Sequence, residues 1–295
     1  MDVIRKPSSI AAIVVTRNRL TLLRECIAAI RQQSRRPDEI VVVDNASDDG
    51  TADWLAQQSD VTVCRQENLG SAGGQYTGIK TAYSHGHDWF WCMDDDTVPR
   101  MDLLGQLCAC RHFKDPQTGC LCSLVVWTDG KTHQLNAPAL APCREWLETV
   151  LNERCLRVES CSFVSAMFSR PAVAAAGLPL KEFFLWGDDV EFTRRIARHF
   201  RAYLVLDSIA VHKTLQNTGV ARNQFSNQDL LKFCYGARNE IAMVLMERPA
   251  FLTRMVRLAR VFRFYLTITP GVRSRIRLIV WMFRGFFFRP QPEKV

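Results

Sequence analysis

Asp94, Asp95 and Asp96 follow an apolar run, Trp89-Phe90-Trp91-Cys92-Met93, and precede Thr97-Val98-Pro99. The run reads as a buried strand, so three carboxylates stand where a strand leaves the core. Such charges repel one another and are costly to desolvate unless something positive lies among them. Hard oxygen ligands suit Mg2+ or Mn2+, ions that commonly also hold substrate phosphates. The competing reading is a solvated acidic turn. A second cluster, Trp186-Gly187-Asp188-Asp189-Val190-Glu191, sets two acids at a predicted helix start. A carboxylate within hydrogen-bond reach of an attacking hydroxyl can take its proton, as transfer of a sugar requires. One of the pair can instead cap the helix, and the residues leave open which. His212, in Ala210-Val211-His212-Lys213-Thr214, is either structural or the member that completes a mixed oxygen and nitrogen site suited to Mn2+.

The elements that must position these residues alternate through the first half. Apolar runs predict strands over 10–15, 39–43, 61–64 and 89–93, with helices over 20–33, 52–58 and 70–84. Strands alternating with helices indicate βαβ units and a parallel sheet, whose ligands bind beyond the carboxyl ends of the strands. That puts 16–19, 44–45, 68–74 and 94–96 on one rim, which fits a pyrophosphate-bearing substrate. Asp94 and Asp96 would hold a cation that bridges its phosphates. Gly70, Gly73 and Gly74 precede or open a helix, where bare amides can approach phosphate oxygens; the run lacks the G-x-G-x-x-G spacing of a dinucleotide fingerprint. Asp44 can accept a hydrogen bond from a base or ribose, or simply form an Asp-Asn turn.

The second half is less regular. Strands are predicted over 121–127, 161–169 and 202–206, a loop over 137–142, and helices over 171–176, from Asp188 to 199, and over 229–246. Eleven cysteines and a polar start at Met1 read as free thiols in a reducing cytoplasm. Cys108-x-Cys110 and Cys120-x-Cys122 invite zinc, but such pairs usually have wider spacing, and 108 and 110 on a helix face different ways. The 295 residues are 47% hydrophobic and carry a net charge of +8. Residues 251–295 hold nine arginines and one lysine against Glu293, while the other 250 residues hold 28 basic and 29 acidic side chains. The basicity belongs to the tail, which speaks against a nucleic-acid-binding domain. In that tail Arg254, Arg257, Arg260 and Arg263 recur every third residue, with Met255, Val256, Ala259, Phe262 and Leu266 across much of the other half of the helix. No apolar stretch approaches the ~20 residues that span a bilayer. A basic amphipathic helix of this kind suits an anionic membrane surface.

Five segments in order are similar to family 2 glycosyltransferases of the GT-A fold. They are Val14-Val15-Thr16-Arg17-Asn18-Arg19; Val43-Asp44-Asn45-Ala46-Ser47-Asp48-Asp49-Gly50-Thr51; Glu67-Asn68-Leu69-Gly70-Ser71-Ala72-Gly73-Gly74; Trp91 to Pro99; and Trp186 to Phe192. The last three most resemble the bacterial galactofuranosyltransferase branch, with rhamnosyltransferases close by. The resemblance implies an α/β, mostly parallel, Rossmann-like nucleotide-sugar-binding sheet flanked by helices. The glycosyltransferase domain would cover 1–250, with a nucleotide half over about 8–100 and an acceptor half over about 101–250. The basic helical tail, 251–295, would follow. It implies an inverting, metal-dependent transfer from a UDP-sugar, UDP-galactofuranose, to a lipid-linked or oligosaccharide acceptor in O-antigen or capsule synthesis. The enzyme would sit peripherally on the cytoplasmic face of the cell membrane. Mn2+ or Mg2+ would lie on Asp94, Asp96 and His212; Asp189, or its neighbour Asp188, would be the base. Thr16, Asn18, Asp44, Asn68, Gly73, Gly74 and Asp95 would form the donor site. Ser71 stands where the family pattern expects glycine. The alternatives are a dTDP-rhamnose donor or a non-catalytic nucleotide-sugar-binding assembly partner.

Overall fold

The computed structural model describes residues 8–142, 146–218 and 227–295; the polar segment behind Met1 and Cys143 lie outside the described residues. The first half alternates as its hydrophobic pattern dictates. The elements are β1 (Ile10–Thr16), α1 (Leu20–Arg31), β2 (Glu39–Asn45), α2 (Thr51–Leu55), β3 (Thr62–Gln66), α3 (Gly70–Ser84) and β4 (Trp89–Asp94). β1, β2 and β4 are almost wholly buried β-branched or aromatic runs, which suit a sheet covered on both faces. Leu23, Cys26, Ile27 and Ile30 form the buried stripe of α1.

The second half adds β5 (Thr97–Pro99), α4 (Leu103–Ala109), β6 (Thr118–Val126), β7 (Ala139–Leu140), α5 (Trp146–Glu153), β8 (Cys155–Ser160), β9 (Ala166–Ser169), α6 (Arg170–Ala176), α7 (Asp188–Ala197) and β10 (Arg201–His212). The sheet runs β3-β2-β1-β4-β9-β6-β10-β8-β7, with β5 also on β10. β3, β2, β1 and β4 are mutually parallel, whereas β9 inserts antiparallel between β4 and β6. Two expected strands differ. The run over 161–169 divides: β9 begins only at Ala166, and Phe163 and Val164 are buried in a loop, where Phe163 packs against Phe168 and Phe192. Burial without a ladder gives the same apolar signal as a strand. β10 runs six residues past the expected end, through a register irregularity between Val205 and Ile209. There the buried Ser208 hydroxyl lies 2.8 Å from Ser123 Oγ and donates to Leu103 O, so a polar residue sits inside a core strand without penalty.

Register places the chemistry. Thr16 pairs with Asp44 and Val15 with Asp94, so the ends of β2, β1 and β4 are level. β5 turns back antiparallel along β10 and pairs Thr97 with His212. That hairpin brings a residue 116 positions later beside the aspartates.

The remaining helices are α8 (Asn227–Met246), α9 (Phe251–Ile268) and α10 (Val272–Phe287). The composition shift at 250 is not a structural gap. Leu258, Val261 and Tyr265 of α9 and Leu278 and Met282 of α10 share a core with Phe233, Cys234, Ala237 and Ile241 of α8. Met255 and Val256, on the apolar half of α9, are 41% and 43% exposed, so that half is only partly packed. Beyond α10 the chain returns to α3 and the segment before α7: Phe288 packs on Phe183, and Glu293 binds Tyr76 and Lys80.

Candidate active site

The end of β4 turns sharply into β5, so Asp94, Asp95 and Asp96 leave the sheet in different directions, and each meets different partners. Thr16 Oγ1 donates to Asp95 Oδ2 at 2.8 Å. Arg19 Nη1 bridges Asp95 Oδ1 at 3.2 Å and Asp96 Oδ2 at 2.7 Å. His212 Nε2 lies 3.0 Å from Asp96 Oδ1, and Lys213 N–H donates to the Asp96 carbonyl at 2.9 Å. Asn136 Oδ1, 2.8 Å from His212 Nδ1, accepts Nδ1–H and turns Nε2 toward Asp96. His133 lies against the His212 ring, and burial pushes it down to about 4, so it stays neutral.

The acids respond unequally. Burial, reinforced by the Asp96 charge, raises Asp94 to about 7. Burial raises Asp95 to about 6 against the pull of Arg19. Asp96 is buried too, but its hydrogen bond to His212 and the His212 and Arg19 charges outweigh that burial and hold it below the usual carboxylate range. One ligand atom each from Asp94, Asp96 and His212 lies within 4.8 Å of the others. Six-coordinate Mg2+ with bonds near 2.1 Å spaces adjacent ligands by about 3 Å and opposite ones by about 4 Å. The three residues fit such an ion, and the mixed carboxylate and imidazole set favours Mn2+ over Mg2+.

Across the cavity, α7 begins at Asp188 with Gly187 as its N-cap at φ 85°. Neither aspartate is the cap residue, although Asp189 Oδ1 accepts the Val190 N–H. Burial first, and then Asp189, push Asp188 well above the usual range; its Oδ2 is buried without a hydrogen bond, and it feels the charge of Asp94. Burial raises Asp189 only to about 6. The loop that aims this pair is strained: Phe184 and Trp186 have φ of 64° and 66°. Asn239 of α8, fully buried, holds it by donating to the carbonyls of Phe183, Leu185 and Trp186 at 2.7–3.1 Å. Gly70 completes the brace. It has φ 71°, and a Cβ there would stand 1.9 Å from the Phe184 carbonyl oxygen.

A cavity of about 1000 Å³ joins the two acid clusters, and its wall includes Thr16, Asn45, Asn68, the three aspartates, His212, Asp188 and Asp189. Four residues expected at the donor, Asn18, Asp44, Gly73 and Gly74, do not line it. Asn18 braces two loops instead, accepting the Asp48 N–H at 2.8 Å and donating its own N–H to Ser47 Oγ. Gly73 and Gly74 are small for packing: Cβ atoms there would stand 2.3 Å from Leu69 Cβ and Val15 Cγ1. The nearby amides of Gly70, Ala72 and Gly73 already bond Asn68 Oδ1, Phe184 O and Leu69 O, so they are not a free phosphate cradle. Asp44 lies just behind the wall, fully buried, with Oδ1 accepting Ser47 N–H and Oδ2 without a hydrogen bond. The sequence reading placed Arg19 on the rim without a role, and it missed Asn136 and Asn239. Arg19 carried a signal, the only cation type in the first motif; the two asparagines carried none.

A family model described as glycosyl transferase family 2 matches residues 11–175. Galactofuranosyltransferase GlfT1 of Mycolicibacterium smegmatis is 30% identical over 207 residues, 64% of this chain and 65% of that protein. GlfT1 of Mycobacterium tuberculosis H37Rv is 31% identical over 203 residues, with the same shares. The chain thus spans just under two thirds of these relatives. Staphylococcus aureus TarS 1–349 in complex with UDP is similar in structure with a TM-score of 0.62 at 14% identity, covering 94% of this chain and 80% of that one. GalNAc-T7 with UDP, GalNAc and Mn2+ gives 0.65 at 13%, covering 93% and 54%. These likenesses show the fold, GT-A.

Asn239→Ala takes the amide donor from the Leu185 and Trp186 carbonyls, while the Phe183 carbonyl keeps Arg238 Nη2. It is expected to cost about 2–4 kcal/mol in urea unfolding, since partly exposed carbonyls recover water. It should also lower turnover at least about tenfold by releasing Asp188 and Asp189. Unchanged turnover would show that the loop holds its shape without α8.

Proposed function

The chain belongs to glycosyl transferase family 2, and from that premise we propose that it transfers galactofuranose from UDP-galactofuranose, with inversion, to a lipid-linked or oligosaccharide acceptor of a cell-surface glycan. The observation that carries this reading is one cavity with three partly neutralised aspartates and His212 on one wall and the Asp188–Asp189 pair on the other. The galactofuranosyltransferase relatives support the choice of donor.

In this reading Asp44 takes the base or ribose with Oδ2, which has no hydrogen bond and lies 3.7 Å from Arg65 Nε, and Asn68 and Thr16 line the path to the phosphates. Mn2+ or Mg2+ on Asp94, Asp96 and His212 would offset the charge that develops on the departing diphosphate. Arg19 is the mobile counter-charge: half exposed, it can leave Asp95 and Asp96 and turn to a phosphate. Asp189 takes the proton of the acceptor hydroxyl as it attacks from the wall opposite the leaving group. At neutral pH Asp189 is the member of its pair that is ionised, whereas Asp188 is held protonated by deeper burial. Asp188 positions its neighbour and keeps a second negative charge away from Asp94.

A donor screen with purified protein and Mn2+ tests this directly, scored by UDP or dTDP release on a lipid-linked acceptor. UDP-galactofuranose is the expected donor; preference for dTDP-rhamnose moves the chain to the sister branch, and binding of UDP without transfer favours a non-catalytic role. Asp189→Asn should lower turnover about a thousandfold while leaving UDP affinity nearly unchanged. For the native enzyme, kcat/KM should fall about tenfold per pH unit below about 6, because protonation removes the base. A flat profile down to pH 5 would remove Asp189 from that role.

The acceptor side is formed partly by α9, through Arg257, Arg260 and Phe264. On α10, Val272, Ile276, Val280, Phe283 and Phe287 form one helical stripe that is 48–86% exposed, beside Arg273, Arg277 and Arg284. Among the described residues no helix is long and apolar enough to cross a membrane. The proposal is therefore peripheral contact with the cytoplasmic membrane face, where lipid-linked acceptors lie. Replacing Ile276 and Phe283 together by Glu should weaken binding to phosphatidylglycerol vesicles about a hundredfold without unfolding the protein. Equal vesicle binding would place the stripe elsewhere in the biology.

A further inference from the structure

At the other end of the sheet, a second set of ligand atoms is gathered. His112 Nε2 lies 2.9 Å from Glu153 Oε2, and the Cys155 thiol donates to the same oxygen at 3.7 Å. One atom each from His112, Glu153 and Cys155 fits within 4.8 Å; Cys110 stands outside that set, with its thiol next to that of Cys155. We propose that Cys110, His112, Glu153 and Cys155 form a tetrahedral zinc site, a Cys-x-His pair facing a Glu-x-Cys pair.

The geometry is close to what the ion needs. Tetrahedral zinc, with bonds of about 2.0–2.3 Å, spaces its ligand atoms by about 3.3–3.8 Å. The 3.7 Å separation of Cys155 and Glu153 lies within that range and the 2.9 Å separation of His112 and Glu153 just below it, so small side-chain movements admit the ion. Local backbone is arranged for it. Arg154, between Glu153 and Cys155, has φ 52°, an uncommon conformation for a non-glycine residue, and turns both neighbours inward. His112 is fixed by stacking on Tyr203, with ring centroids 3.8 Å apart and planes 4° from parallel. Glu153 Oε1 is engaged by Arg111, which leaves Oε2 for the metal. Charge balances as well. Binding displaces both thiol protons; two thiolates and a carboxylate then face Zn2+ and the Arg111 guanidinium, with no net charge left over.

The site is separate from the aspartates. Tyr203 and His212 are nine residues apart on β10, on the order of 30 Å along a strand. It also differs from the pairing that spacing alone suggested, since Cys120 and Cys122 lie on β6 and Cys120 approaches Cys161 instead. Its role is structural: it pins the segment after α4 and the α5–β8 turn to the outer edge of the sheet, where α5 covers little core.

The test uses untagged full-length protein. Elemental analysis should find one zinc per chain that survives dialysis against Mn2+, persists in His212→Ala and is lost in Cys110→Ser and Cys155→Ser. Protein refolded or expressed with Co2+ should show a thiolate-to-cobalt charge-transfer band, which the active-site ligands, having no sulfur, cannot produce. This second measurement needs no variant. Absence of both zinc and the band, zinc retained in both serine variants, zinc lost in His212→Ala, or a native mass short of two hydrogens from a Cys110–Cys155 disulfide would each overturn the proposal.

Discussion

Burial of three adjacent carboxylates at the end of β4 is the constraint on which the rest of the architecture depends. Uncompensated, such a cluster would cost several kcal/mol per charge. The fold answers with partners from distant segments: Thr16 at the end of β1, Arg19 just after it, and His212 at the end of β10. The compensation is incomplete, since Asp94 and Asp95 remain raised to about 7 and about 6. A site in this condition gains from any further positive charge. That is the physical ground for the proposal that a divalent ion, and with it a diphosphate, binds there.

The second acid pair shows the same economy. Asp188 and Asp189 stand near that cluster, so they must be ionised one at a time. Differential burial achieves this, and the strained loop before α7 sets it. The loop in turn rests on Asn239 of α8 and on the bare backbone at Gly70. α8 is held by α9 and α10, and residues 288–293 return to α3 and Phe183. The basic tail therefore buttresses the Asp188–Asp189 side of the cavity while presenting an apolar stripe outward.

Much of this was legible in the residues. Apolar runs with strand length located β1 to β4, and the parallel rule placed their chemistry on one rim. Asp94, Asp96 and His212 converge as the motifs implied. What failed had physical causes. Gly73 and Gly74 look like a phosphate loop, but Gly73 lies against Leu69 at the start of α3 and Gly74 against Val15 of β1, with no room for a Cβ at either. Asn18 looks like a donor contact, but it ties two loops together. Phe163 and Val164 are as buried as a strand without being one. Arg19, Asn136 and Asn239 act through contacts across 76, 76 and 56 positions, which no local pattern records. The Cys110 and Cys155 cluster was invisible for the same reason: its halves are 45 residues apart, and the nearer cysteines drew the attention.

The central claim is that the carboxylates at the end of β4 bind a nucleoside diphosphate through a divalent cation. Calorimetric titration of UDP into the protein, with and without Mn2+, tests it most directly. The account predicts that Mn2+ tightens UDP binding about tenfold or more, and that the gain vanishes in Asp96→Asn. The same UDP affinity with and without Mn2+, or an equal gain in Asp96→Asn, would contradict it.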